Sequence, residues 1–109
     1  MTTTREEVLR LVRELRERLA CVYGERLRGV YLYGSYARGD AHEDSDIDVA
    51  VVLAGPVNSA EERWRASDAA SELSLRENCL LTLFFLSDTE FNERPYAIHR
   101  SIAREGVMV

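Results

Sequence analysis

Two short clusters carry the residue types that handle phosphate and divalent metal. Gly34-Ser35-Tyr36-Ala37-Arg38-Gly39-Asp40 combines a small-residue turn with a hydroxyl and a guanidinium, and Ser45-Asp46-Ile47-Asp48 supplies two carboxylates soon after. A turn that opens a helix at Ser35 offers unpaired backbone N–H groups and the positive end of the helix dipole to an anion. Carboxylates two residues apart on a strand share one face, with Cα atoms roughly 6.5–7 Å apart, and so converge on one cation. Mg²⁺ takes a few hard oxygens from protein carboxylates and the rest from water and substrate phosphate. The chemistry that fits both clusters is the binding of a nucleoside triphosphate with its metal. Gly34 and Ser35 would face the phosphates, and Asp46 and Asp48 would hold Mg²⁺ or, in its place, Mn²⁺.

Each residue also has an ordinary explanation. Gly34-Ser35 alone reads as a strand-to-helix turn with Ser35 as the N-cap, since caps far outnumber phosphate sites. Asp46 and Asp48 alone read as a solvated strand start, although two like charges on one face repel and call for a compensating cation. Arg38, one helical turn past Ser35, is either a surface residue or a phosphate ligand. Tyr36 reads as packing. Asp40, Glu43 and Asp44 read as a solvated loop from which one carboxylate would reach the metal through water. His42 and His99 have no acid–base partner visible in the sequence.

The elements that must position these residues follow from periodicity and caps. Thr4-x-x-Glu7 is a capping box, and Val8, Leu11, Val12, Leu15, Leu19 and Val22 recur along one helical stripe that ends near Gly24. Val30 to Tyr33 and Ile47 to Leu53 have strand character, with Ile47, Val49, Val51 and Leu53 on the face opposite the two aspartates. Gly55-Pro56 stops the second strand. Ser59 opens a long helix to about Arg76, with Trp64, Ala66, Ala69, Ala70 and Leu73 as its apolar side, so Trp64, Phe84 and Phe85 are read as core. Residues 79 to 87 make a third strand. A last helix, capped at Ser87 or Thr89 and disturbed at Pro95, runs to about Glu105, with Gly106 ending it and 107–109 adding a short strand. This order predicts an α/β fold, a small mixed sheet with helices packed on it, in one domain over residues 1–109.

Composition narrows the function. In 109 residues, 19 acidic side chains against 14 basic ones give a formal charge of −5, and no basic stripe for a nucleic-acid backbone is present. The arginines of the first helix alternate with glutamates, the pattern of a solvated, salt-bridged face. Cys21 and Cys79 lack metal or redox spacing and read as buried, reduced thiols. A charged N-terminus and the absence of any run of membrane-spanning length predict a cytoplasmic protein.

Gly34-Ser35, the ten residues Tyr36 to Ser45, and Asp46-Ile47-Asp48 resemble the signature of the nucleotidyltransferase superfamily that includes DNA polymerase beta. The Gly-Ser-Tyr-Ala-Arg-Gly form and the ending Arg100 to Val107 look most like its minimal nucleotidyltransferases of the MntA antitoxin type. The resemblance implies the nucleotidyltransferase fold. It also implies ATP as substrate, with Asp46 and Asp48 as catalytic metal ligands and Gly34, Ser35 and Arg38 at the nucleotide. The implied reaction is transfer of AMP to a hydroxyl, a tyrosine of a cognate HEPN-family toxin. Active relatives carry a third carboxylate on the strand after the long helix, where this chain has Thr82. A threonine hydroxyl is a poor metal ligand and no base near neutral pH. The rival reading is therefore a binding module that keeps the nucleotide pocket and neutralises the toxin by contact. Transfer to a small molecule ranks last, because so short a chain hardly builds an acceptor pocket unless it forms a homo-oligomer.

Overall fold

In the computed structural model, described here for residues 4–42 and 45–109, four strands form one mixed sheet in the order β3-β2-β1-β4. The chain runs through α1 (Arg5–Tyr23), a single 3₁₀ turn (Gly24–Arg26), β1 (Leu27–Tyr33), α2 (Ser35–Arg38) and β2 (Ile47–Leu53). It continues with α3 (Ser59–Arg76), β3 (Leu81–Ser87), α4 (Asp88–Glu93), α5 (Ala97–Glu105) and β4 (Val107–Met108). The predicted α/β architecture holds, with helices packed on a small mixed sheet.

β1 and β2 pair antiparallel, with Tyr33 opposite Asp48. β2 and β3 are parallel, which requires the α3 crossover between them. Apart from Asp48, β2 is buried along its whole length, as a central strand covered on both faces must be. Ile47, Val49, Val51 and Leu53 join Val30 and Leu32 against Leu11, Leu15 and Leu19 of α1 and Leu73 of α3. Ala50, Val52 and Leu86 meet Ile102 of α5 on the other face, where Tyr31 stacks on Phe91 at 5.0 Å. The face opposite the aspartates is thus the one the alternation predicts.

Several expectations need correction. Trp64 is 78% exposed and Val22 is 45% exposed, so neither belongs to the core. α3 buries Glu62, Ala66, Ala69 and Leu73 instead, a stripe that leaves Trp64 on the solvent side. Cys21 is exposed and Cys79 only half-buried, contrary to the buried thiols expected. The last helix is two helices: Arg94 adopts a left-handed φ of 54° and ends α4, and Pro95 separates it from α5. Ser87 caps α4 through a complete capping box with Glu90. Of the α1 charges, Arg18 and Glu14 pair across to α3, as Arg18–Glu72 at 2.8 Å and Arg76–Glu14 at 2.8 Å, and none among the described residues pairs along its own helix.

Candidate functional site

The site forms where β1 ends and β2 begins. Gly34 follows β1 directly and is the N-cap of α2, with φ 77° and ψ −153°, a conformation open essentially to glycine alone. Its missing side chain is also required for space. A Cβ on Gly34 would fall 3.1 Å from Cγ and 3.2 Å from Cβ of Asp48, with Oδ2 closer still. The turn therefore sits directly against the carboxylate. Gly39, with φ 86°, ends α2, and the N–H groups of Gly39 and Asp40 both donate to the Ser35 carbonyl.

Ser35 is the first helical residue and makes no capping hydrogen bond, which corrects its reading as N-cap. Ser35 is half-buried, and among the described residues its hydroxyl has no hydrogen-bond partner. Tyr36 is buried, as packing requires. Arg38 is exposed and forms ion pairs with Asp40 at 3.1 Å and with Glu105 at 3.2 Å. Asp40 thus answers a cation within the protein, while Glu43 and Asp44 lie outside the described residues.

Asp46 precedes β2 and is exposed, and Asp48 is the one half-buried residue of that strand. Burial pushes the Asp48 carboxyl above the usual carboxylate range, the charge of Asp46 pushes it the same way, and Arg38 partly offsets both. Asp46 thus lies within electrostatic reach of Asp48. Burial, reinforced by the Asp48 charge, pushes the Tyr33 phenol up to about 12, so it is no base near neutral pH.

Thr82 is the in-register partner of Asp48 on β3 and is exposed. Parallel neighbours in register point to the same face, about 4.8 Å apart. Tyr33, Asp48 and Thr82 therefore form one row across three strands, with the hydroxyl where the third carboxylate was expected. Among the described residues, no group of three or more acidic, histidine or cysteine side chains converges to hold a metal. The pair Asp46/Asp48 nevertheless fits a divalent ion shared with substrate phosphates. Its donors are hard oxygens, and its like charges call for a cation.

A cleft of about 420 Å³ opens at the other end of β2, lined by Arg26, Pro56, Asn58, Glu61, Glu62 and Arg65. It is an ionic joint rather than the reacting site: buried Glu62 accepts from Arg26 at 3.4 Å and from Arg65 at 3.1 Å. Five strand residues, roughly 17 Å, separate it from Asp48. His99, invisible as an interacting residue in the sequence, is buried at the start of α5, with Nε2 3.6 Å from a Glu90 oxygen. Its ring packs on Phe84 and Tyr96, so it joins α4 and α5 to the sheet.

The model of the nucleotidyltransferase domain family matches residues 9–103, which contain Gly34, Ser35, Arg38, Asp46, Asp48 and Thr82. The chain belongs to that family. This nucleotidyltransferase is a minimal domain related to the MntA-type protein adenylyltransferases of MntA–HepT toxin–antitoxin systems. Two Methanocaldococcus jannaschii proteins, each named "putative protein adenylyltransferase", resemble it. MJ0604 is 31% identical over 96 residues, covering 87% of this chain and 90% of the relative. MJ0141 is 32% identical over 76 residues, covering 70% and 76%. Protein adenylyltransferase MntA of Shewanella oneidensis is 43% identical over 49 residues, 44% of this nucleotidyltransferase and 34% of MntA. In fold, the crystal structure of a Sulfolobus solfataricus protein named "putative nucleotidyltransferase" superposes with a TM-score of 0.70 at 24% identity, covering 95% of this chain and 80% of that one. A toxin–antitoxin crystal structure with AMP-PNP superposes at 0.59 and 25% identity, covering 86% and 68%. No helix among the described residues is long and apolar enough to cross a membrane.

Proposed function

We propose that this nucleotidyltransferase binds ATP with Mg²⁺ and transfers AMP to a hydroxyl on a partner protein, a tyrosine of a HEPN-family toxin. The observation that carries this is the contact of the Gly34 turn with Asp48, because it fuses the phosphate-facing turn and the carboxylate pair into one site. Gly34 and Ser35 hold the terminal phosphates, and Arg38 adds a cation beside them. Asp46 and Asp48 hold Mg²⁺, which neutralises charge developing at the phosphates. The acceptor oxygen bonds to the α-phosphorus, the bond from that phosphorus to the bridging oxygen breaks, and pyrophosphate leaves. The hydroxyl proton passes to water or to a carboxylate of the pair, since neither Thr82 nor Tyr33 can take it. MntA bears the name of a protein adenylyltransferase, and fold neighbours include toxin–antitoxin complexes, which supports a toxin as the acceptor. The chain and a candidate toxin, incubated with ATP labelled at the α-phosphate and with Mg²⁺ or Mn²⁺, should yield labelled toxin. No label would overturn transfer.

Thr82 favours one other reading. With a hydroxyl beside Asp48 in place of a carboxylate, the same site would bind nucleotide without activating an acceptor. The protein would then silence its toxin by stoichiometric contact. Full neutralisation by an Asp46→Asn/Asp48→Asn double variant that still forms a stable complex would select this reading over catalysis.

A further inference from the structure

We infer that Glu105, the last residue of α5, is a positioning residue for Arg38, holding its guanidinium at the end of α2 where the triphosphate of a nucleotide bound at the Gly34 turn would meet it. This rests on the nucleotide-binding reading of the same site. Glu105 comes 67 residues after Arg38, yet its Oε2 accepts from Arg38 Nη1 at 3.2 Å. The sheet brings it there. β4 pairs with β1, Val107 opposite Leu32, so the C-terminal end of α5 lies near the end of β1 that leads into Gly34 and α2. Gly106 makes the short passage from α5 into β4: its N–H still donates to the Ile102 carbonyl at 2.8 Å.

Arg38 is held from a second side. Its Nε donates to Asp40 Oδ2 at 3.1 Å, and Asp40 is turned back onto α2 by the left-handed Gly39. Two of the three guanidinium nitrogens are thus fixed by two different acids. The acids are unequal, since the Glu105 side chain is 18% exposed and that of Asp40 is 61% exposed. The Asp40 contact is the shorter, but the less solvated Glu105 carboxylate loses less of its attraction to water and salt. The guanidinium lies within electrostatic reach of Asp48, whose carboxyl it partly restrains.

A free arginine loses rotamer freedom each time it engages a phosphate, whereas one already held in place loses little. Glu105 would therefore favour nucleotide binding through Arg38 without touching the nucleotide. The opposite role, drawing Arg38 away from the phosphates, predicts the opposite sign.

Calorimetric titration of the whole chain with ATP in excess Mg²⁺ separates these roles. Glu105→Gln should weaken ATP binding by about three- to tenfold, the scale of a single well-placed charge-assisted contact. Glu105→Asp, which keeps the charge, should recover most of the loss. In an Arg38→Ala background, Glu105→Gln should add nothing. Unchanged or tighter binding by Glu105→Gln overturns the role, as does an equal loss in the Arg38→Ala background. If the wild-type chain binds no ATP, the nucleotide-binding reading fails first and the role of Glu105 fails with it.

Discussion

Gly34 and Asp48 occupy one another's space: the turn after β1 stays in van der Waals contact with a β2 carboxylate only because residue 34 has no side chain. That contact makes two separate sequence clusters into one site. It also couples a substitution in the turn to one at the carboxylate.

Gly34→Ala should cost about 1–3 kcal/mol from its positive φ alone, and more from the clash with Asp48. An added Asp48→Ala should relieve the second part, so urea denaturation of the double variant should show less than the sum of the single losses. Additive losses would mean that the turn and the carboxylate are not coupled. Metal-dependent ATP binding should be lost in all three variants.

Asp48 gives a pH dependence with a definite sign. Its carboxyl is raised in the folded protein by burial and by Asp46. A raised acid stabilises the fold below its unfolded pKa, about 3.9, and loses that contribution as pH rises through the folded value. Without metal, Asp48→Asn should therefore be more stable than wild type at neutral pH, with the gap closing towards about pH 3. Adding Mg²⁺ at neutral pH should raise the melting temperature of wild type and leave Asp48→Asn unmoved. A gap that widened towards acid would contradict the burial of Asp48.

Ser35→Ala separates binding from folding. Because Gly34 is the cap and the Ser35 hydroxyl makes no capping bond, the variant should stay within about 0.5 kcal/mol of wild type. Loss of a true cap would cost about 0.5–2 kcal/mol. ATP affinity should fall all the same. A stability loss with unchanged affinity would return Ser35 to a purely structural role.

Thr82→Asp tests the missing carboxylate. Residue 82 is exposed and in register with Asp48, so the new charge need not be buried. Without metal, cross-strand repulsion should cost about 0.2–1 kcal/mol. With Mg²⁺ the variant should bind metal more tightly, and labelling of a toxin should rise. Unchanged metal affinity would show that Thr82 does not face the cation.

The local features were legible in the order of residues alone. Thr4 and Glu7 mark the start of α1, the alternation of Ile47, Val49, Val51 and Leu53 marks the buried face of β2, and the spacing of Gly34-Ser35 and Asp46-x-Asp48 marks the site. Each is written within a few residues by periodicity or capping, so no distant contact is needed to read it. Tertiary structure alone decided the rest. Trp64 sits within an α3 sequence whose small residues, Ala66 and Ala69, suffice to cover the sheet, so the helix rotates the indole into solvent. The parallel pairing of β2 with β3 placed Thr82 beside Asp48, and the pairing of β4 with β1 brought Glu105 to Arg38. Such partnerships are fixed by strand order and register, which depend on how the whole core packs, and no local pattern around residues 38 or 105 encodes them.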